Sequence, residues 1–334
     1  MTVQLRVATG APHARILGAG DYRPSRVVTN AEICERIDSS DEWIRERSGI
    51  RTRHFAAPDE TVVDMAAAAA GKAIANAGIE PDRIGAVIVA TVTHLTATPS
   101  AASELAHRIG AVGAASFDIA AACAGFCHGV ALANDMVRGG SAEHVVVVGV
   151  EKLSDILDLE DRSTAFIFGD GAGAVVIGPS DVPGIGPVVW GSAGSRGDAI
   201  TTTAPFTELR EHPDAAWPTL RMQGPAVFRW AVSQMTPVAA QALGAAGITA
   251  AQLDAFIPHQ ANLRIIDAMA KGLGLPERVA VARDIVTTAN TSAASIPLAM
   301  ARMLESGEAP SGGTALIIGF GAGLSHAAQV VTLP

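Results

Sequence analysis

The segment from Lys72 to Thr91, KAIANAGIEPDRIGAVIVAT, recurs in the second half of the chain from Gln241 to Gln260 as QALGAAGITAAQLDAFIPHQ. Ala77, Gly78, Ile79, Ala86 and Ile88 align with Ala246, Gly247, Ile248, Ala255 and Ile257 at a constant spacing of 169 residues. A chain of 334 residues that repeats one helix, turn and strand in this way is constrained to two halves of one architecture.

Each copy opens with an apolar stripe at helical spacing. The first is Val62, Ala66, Ala69, Ala73 and Ala77; the second is Phe228, Ala231, Met235, Ala239, Ala242 and Ala246. Gly78 and Gly247 supply the stops, Thr61 with Asp64 reads as a capping box, and Pro237 predicts a bend. Short strand-like runs follow at Ala86–Thr91 and Ala255–Pro258. A strand, a helix and a strand come next: Phe117–Ala120, Cys123–Val137 and Val145–Val150 in the first half. The second half offers Val279–Ala282, Thr291–Leu304 and Thr314–Gly319. Continuous apolar runs such as HVVVVGV imply strands buried on both faces, hence helices on both sides of each sheet. Two such halves, 1–180 and 181–334, packed face to face predict an α/β five-layered sandwich.

Composition narrows the function classes. Lys and Arg number 24 against 33 Asp and Glu, a net charge of −9 that excludes a general nucleic-acid binder. Hydrophobic residues at 49% support a large core, and aromatics at 4% leave it to small aliphatic side chains and close backbone contact. Cys34, Cys123 and Cys127 lack any disulfide or zinc spacing, so no metal and a reducing compartment are expected. No apolar run reaches membrane length and the first twenty residues do not read as a leader, so a cytoplasmic protein with no membrane partner is expected.

Three residues stand where α/β proteins do chemistry. Cys123, in FDIAAACAGF, lies where a strand hands over to a helix, and the field and free N–H groups of a helix start favour thiolate. His259, in FIPHQAN, follows a strand at the end where ligands bind. Asn290, in TTANTSAAS, opens a helix near the repeat equivalent of Cys123. Taken singly, these read as a buried thiol, a structural histidine and an N-cap. Together they form a Cys, His and Asn set able to converge on the pseudo-twofold axis. GDGAGA (Gly169–Ala174) and GFGAGL (Gly319–Leu324) lack dinucleotide spacing; the second is better suited to bringing backbone N–H groups to a nucleophile.

Nearly the whole chain resembles the thiolase-superfamily condensing enzymes, and within them the beta-ketoacyl-acyl-carrier-protein synthase III family. The resemblance runs from RILGAGDYRP through DSSDEWIRERSGIRTRHFA, AAACAGF, DRSTAFIFGDGAGAVV, PHQANLRII and NTSAAS to GFGAGL. It implies a thiolase-like αβαβα sandwich, a homodimer, and decarboxylative condensation of an acyl-CoA primer with malonyl-acyl carrier protein at the start of fatty acid biosynthesis. No cofactor is implied, since acyl-CoA is a substrate. By position Cys123 accepts the acyl group, while His259 and Asn290 hold the malonyl thioester carbonyl. Backbone N–H groups of Cys123 and of Gly321, Ala322 or Gly323 serve the acyl-transfer oxyanion. Trp43 and Arg162 sandwich the adenine, Ser39 and Arg47 help at the nucleotide end, and Gly224 and Asn262 meet the pantetheine arm.

The same resemblance places Thr98, Ile167 and Phe228 at the acyl pocket, with Thr98 reaching it across the dimer interface. Several acetyl-preferring relatives carry Phe there, so threonine implies room for branched or longer primers. The carrier protein is expected on Gln260, Ala261, Asn262, Leu263 and Arg264, with Arg229 and Lys271, a local basic patch on an acidic chain. Ala289 stands where many relatives have glycine, a departure that matters if that backbone needs positive φ. The alternatives are a priming ketosynthase of a polyketide pathway, a thiolase or hydroxymethylglutaryl-CoA synthase, a Cys–His hydrolase and a catalytically inactive dimeric scaffold. The Cys, His and Asn set with NTSAAS weighs against the thiolase and synthase, its being intact weighs against the inactive scaffold, and the duplicated thiolase-like frame around His259 and Asn290 weighs against the hydrolase.

Overall fold

The computed structural model describes residue 3 and residues 5–334. The first sheet is built from β1 (His13–Tyr22), β2 (Ile84–Ala90), β3 (Ala115–Ile119), β4 (His144–Glu151) and β5 (Gly171–Ser180), in the order β1-β5-β4-β2-β3. The second uses β6 (Val189–Ser192), β7 (Ala255–Pro258), β8 (Ala280–Val281), β9 (Thr314–Gly321) and β10 (Ser325–Thr332), in the order β6-β10-β9-β7-β8. In each sheet the central strand runs parallel to the next two on one side; on the other side it pairs antiparallel with its neighbour, which pairs antiparallel in turn with the edge strand. The duplication read in twenty residues of sequence thus extends to every strand of both sheets.

Strand alternation sorts the side chains into layers. Ala86, Ile88, Val145 and Val147 join a central core with Ile257 and Ile317 of the other sheet. Val87, Val89, Val146 and Val148 face the opposite way, onto the stripe Val62, Ala66, Ala69 and Ala73. All eight residues of β4 are buried, as a run apolar on both faces requires. Each fully buried Val of this kind contributes about 1.5–3 kcal/mol relative to exposure. Helices α1 (Val62–Ala77) and α2 (Ala101–Arg108) cover the first sheet outside. Helices α3 (Gly125–Gly139), α4 (Gly224–Ala245), α5 (Leu263–Gly272) and α6 (Ser295–Glu305) complete the layers. α3 and α6 lie between the sheets and α4 and α5 cover the second. The result is the thiolase-like αβαβα sandwich.

Local signals match the sequence closely. Thr61 and Asp64 form the capping box at the start of α1, and Gly78 ends it at φ +67. α4 continues through Pro237 to Ala245, and Gly247 at φ +70 turns the chain just beyond it. α3 and α6 each begin after a single 3-10 turn, Ala122–Ala124 and Ser292–Ala294, and these equivalent turns carry the chemistry.

Small residues set the spacing between layers. A Cβ on Gly173 of β5 would stand 2.6 Å from the backbone nitrogen of Leu298 and 2.7 Å from Cβ of Pro297, both in α6. Gly71, inside α1, has nothing within 4 Å of such an atom. Gly173→Ala is therefore expected to cost about 1–3 kcal/mol by overpacking, whereas Gly71→Ala gains about 0.5–1 kcal/mol of helix propensity. Urea unfolding midpoints check both, and a neutral Gly173→Ala would refute the tight contact.

Candidate active site

Cys123, His259 and Asn290 come from three separated parts of the chain and line one cavity of about 730 Å³. Cys123 is 9%, His259 2% and Asn290 5% exposed, so all three stand at its buried end. Cys123 sits in the 3-10 turn ahead of α3. His259 follows β7, its backbone N–H donating to the carbonyl of Ile318. Asn290 is held by a parallel bridge to Phe168: its N–H donates to the Ile167 carbonyl, and its own carbonyl accepts from Gly169. The segment around GIRTRHFA braces this loop, with Arg51 N–H donating to the Val286 carbonyl and Thr52 Oγ1 to that of Thr287.

The resting sulfur is a thiol. Burial pushes Cys123 up to about 11; the Ser292 hydroxyl and the Cys123 and Ala322 N–H groups at the sulfur pull the other way, while the Glu151 carboxylate adds to the rise. A helix N-terminus is worth at most about 2 kcal/mol, a factor of about thirty in ionisation. At pH 7 the thiol is favoured by about ten-thousandfold, so the helix field does not deliver the expected thiolate. Cys127, one turn on, is a buried thiol pushed up to about 12. Cys34 is half-buried and free.

His259 is neutral as well, its pKa lowered to about 3 by burial. Nδ1 lies 2.7 Å from Oγ of Ser295, which also accepts the Gln260 backbone N–H at 3.2 Å. Among the described residues the Ser295 proton has only Nδ1 as acceptor, so the hydroxyl donates there and Nε2 carries the ring proton. Phe320 packs edge-on at 5.4 Å and fixes the ring plane. Asn290 Oδ1 accepts from Ser292 N–H at 2.8 Å, which leaves its amide NH₂ without a protein acceptor among the described residues. Two neutral side chains with donors to spare therefore line the cavity that Cys123 also lines.

Backbone strain is concentrated at this site. Among the described residues only Ala122, Ala289 and Ser292 have positive φ without being glycine, at 43°, 58° and 49°. Ala289, where glycine would be at ease, holds φ 58 and ψ −161, a region costing about 1–3 kcal/mol for a side-chain-bearing residue. Gly321 has the opposite constraint: a Cβ there would meet Cβ and Sγ of Cys123 at 2.8 Å.

Four exposed arginines, Arg47, Arg162, Arg229 and Arg264, stand at the open end of the cavity. The Arg162 guanidinium lies 4.8 Å from the Trp43 ring centroid, and Arg264 lies 5.0 Å from that of Phe228. A flat ring inserted between Trp43 and Arg162 needs two contacts of about 3.5 Å, so that pair must part to sandwich an adenine. Gly224, Asn262, Ala261, Ile167 and Phe228 also line the cavity. Asn262 caps α5 by accepting Arg264 N–H and donates to the Arg47 carbonyl, tying the two sides of the mouth together.

Other expected residues lie elsewhere. Ser39 does not line the cavity; its hydroxyl is buried without a partner, and its neighbour Ser40 caps the helix bearing Trp43. Gln260 is 1% exposed, its amide consumed by Pro258, Ala282 and Ile285, so it offers no docking surface. Leu263 packs half-buried against Gly49. Lys271, at the far end of α5, lines a separate groove with Glu277 and Arg283. Thr98 is exposed and outside its own chain's cavity; Gly321 and Ala322 line the cavity and Gly323 does not. Ser292, Ser295, Phe320 and Glu151 were not singled out from the sequence, although NTSAAS contains both serines. Among the described residues no group of three or more His, Cys, Asp or Glu side chains is placed to hold a metal, and no helix is long and apolar enough to cross a membrane.

Residues 117–194 match the family described as 3-oxoacyl-[acyl-carrier-protein (ACP)] synthase III, and residues 243–333 match its C-terminal part. The chain is 62% identical over 331 residues to beta-ketoacyl-[acyl-carrier-protein] synthase III of Streptomyces glaucescens, covering 99% of each chain. The structure superposes with TM-score 0.97 on a priming beta-ketosynthase of a polyketide biosynthetic pathway, at 50% identity and 99% coverage of each chain. It superposes with TM-score 0.88 on 3-oxoacyl-[acyl-carrier-protein] synthase III of Aquifex aeolicus, at 36% identity, covering 96% of this chain and 99% of that one.

A histidine kept neutral by burial costs stability in acid. The unfolded chain takes up a proton near pH 6.5 that the folded site refuses until about pH 3, so this contribution is intact above about 6.5 and lost as pH falls through that window. The loss reaches about 2 kcal/mol at pH 5. His259→Asn is expected to be less acid-sensitive by that amount in urea unfolding at pH 7 and pH 5; equal sensitivity would indicate a solvated imidazole.

Proposed function

We propose that this chain, which belongs to the beta-ketoacyl-acyl-carrier-protein synthase III family, condenses an acyl-CoA primer with malonyl-acyl carrier protein to give a 3-oxoacyl-acyl carrier protein. The observation that carries this reading is the single cavity with a thiol and two neutral donors at its buried end and four arginines at its mouth. A thiol accepts an acyl group from a thioester at little cost, and the Cys123 and Ala322 N–H groups at the sulfur are suited to the tetrahedral oxyanion. Nε2–H of His259 and the amide of Asn290 then donate to the malonyl thioester oxygen. Charge moves onto that oxygen as carbon dioxide leaves, and the resulting enolate carbon attacks the acyl-cysteine. Neutral donors suit this step, because a buried charged imidazolium is opposed by the same desolvation that excludes water.

The arginines account for how an acidic chain receives anionic partners. Arg47 and Arg162 beside Trp43 suit the phosphates and base of coenzyme A, while Arg229 and Arg264 suit an acidic carrier protein. We place the enzyme in the cytoplasm as a homodimer. The edge of β3, unpaired on one side with Phe117 37% exposed, supports the dimer, as does the neighbouring loop with exposed Leu95. Thr98 in that loop would contribute to the acyl pocket of the other subunit.

A second reading, priming of a polyketide with the same chemistry, is favoured by the likeness to a polyketide priming ketosynthase. Offering malonyl groups on fatty-acid and on polyketide carrier proteins separates the two: the physiological carrier gives the higher kcat/KM.

Radiolabelled acyl-CoA and malonyl-carrier protein test the two half-reactions separately. Cys123→Ala is expected to take up no label. His259→Ala and Asn290→Ala take up label but release carbon dioxide about 10²–10³-fold more slowly each. Arg264→Glu loads normally and uses malonyl-carrier protein poorly, and equal loss of both half-reactions would remove Arg264 from carrier docking. Across acetyl-, butyryl-, isobutyryl- and longer acyl-CoA primers, the branched and longer ones are expected to load at least as fast as acetyl; strict acetyl preference would reject the role of Thr98.

A further inference from the structure

Among the buried acids, one lies beside a residue that lines the cavity with Cys123. Glu151, the last residue of β4, is fully buried, and its carboxylate is pushed up to about 7 by desolvation despite four donors. Three of them share one oxygen, Oε2: Thr93 Oγ1 at 2.7 Å, Val92 N–H at 3.1 Å and Thr91 Oγ1 at 3.2 Å. Among the described residues the other oxygen, Oε1, receives only the Ser292 hydroxyl, at 3.1 Å. Ser292 lines the same cavity as Cys123, acts on its thiol, and is held at a strained φ of 49°.

We propose that Glu151 holds the Cys123 proton during turnover, received through the hydroxyl of Ser292. The S–H bond breaks as Ser292 Oγ takes that proton, and Ser292 passes its own proton to Glu151 Oε1. The products are a thiolate, an unchanged serine and a neutral carboxylic acid. The thiolate then attacks the acyl-CoA carbonyl, and the coenzyme A thiolate leaves and takes its proton from solvent. After condensation Cys123 departs from the acyl carbon as thiolate and recovers the proton from Glu151 by the same route. Two like charges in one buried site resist coexisting, so a single shared proton is the stable arrangement. Moving it from sulfur to carboxylate removes the very anion that opposes ionisation of Cys123.

Nearby ionisable groups are engaged elsewhere. Lys152 donates to the carbonyls of Ala57, Pro58 and Glu60 and lies 3.6 Å from Asp155. Asp170, itself pushed up to about 6 by burial, accepts from Ala56 and Ser154. His259 bonds Ser295 on the other side of the sulfur. Glu151 touches no substrate on this account, so it is a positioning residue that acts through Ser292.

The inference rests on Cys123 as acyl acceptor, and its test avoids acyl chemistry. Iodoacetamide alkylation of the Cys123 peptide is followed by mass spectrometry from pH 5 to 10 in wild type, Glu151→Gln and Ser292→Ala. The wild-type rate is expected to rise through a step near pH 7, as Glu151 becomes able to accept a proton, and then to level. Both variants lose that step: their rates climb in proportion to hydroxide and lie about 100-fold below wild type at pH 7. Ser292→Ala leaves the carboxylate and its three Oε2 donors in place, so it decides the matter should Glu151→Gln fail to fold. Retention of the wild-type step by either folded variant, including a uniform loss of rate at every pH, would overturn the relay. Failure of wild type to take label from acyl-CoA would instead overturn the functional reading.

Discussion

Everything at the site depends on how closely α3 and α6 are pressed between the two sheets. The turns that begin these helices carry Cys123 on one side and Asn290 with Ser292 on the other, and they meet because glycines leave no side chain in the way. Gly173 lets α6 rest on β5, and Gly321 lets β9 run past the sulfur. Close packing of this kind transmits position with little slack, which a reaction sensitive to fractions of an ångström requires. The strain at Ala122, Ala289 and Ser292 is the local expression of that pressure.

The same packing decides the charge states. Cys123 and His259 are buried at the cavity's inner end, and burial raises the thiol's pKa and keeps the imidazole neutral. A resting ion pair between sulfur and imidazole is therefore absent, and the histidine is left as a donor with its proton fixed on Nε2 by Ser295. Neither the sulfur nor the imidazole carries charge at rest. At the mouth the balance reverses, because exposed arginines keep their charge in solvent and give an acidic molecule one basic opening.

Residues legible in the sequence were those whose placement follows from an element boundary. Cys123 and His259 follow strands and Asn290 precedes a helical turn, and the repeat indicates that such ends come together. Less legible were residues whose meaning depends on which partners remain after folding. Gln260 reads as a surface residue of a polar segment, yet every polar atom of its amide is used by the backbone around it. Lys271 shares a helix with Arg264 but points into another groove, since two turns of helix carry it away from the mouth. Glu151 reads as the polar end of an apolar strand, and nothing local indicates that Ser292, well over a hundred residues on, will meet it.

The sequence by itself determined the duplicated layered architecture, through strand runs apolar on both faces, helical stripes of alanine and the glycine stops that separate them. It also determined which thiol, imidazole and amide occupy the element boundaries, because periodicity and punctuation are local properties of a chain. Only the tertiary structure decided that the thiol rests protonated, that Ser295 sets the histidine tautomer and that Ser292 meets Glu151. Those outcomes depend on desolvation and on the assignment of each hydrogen bond, and both are properties of the packed molecule.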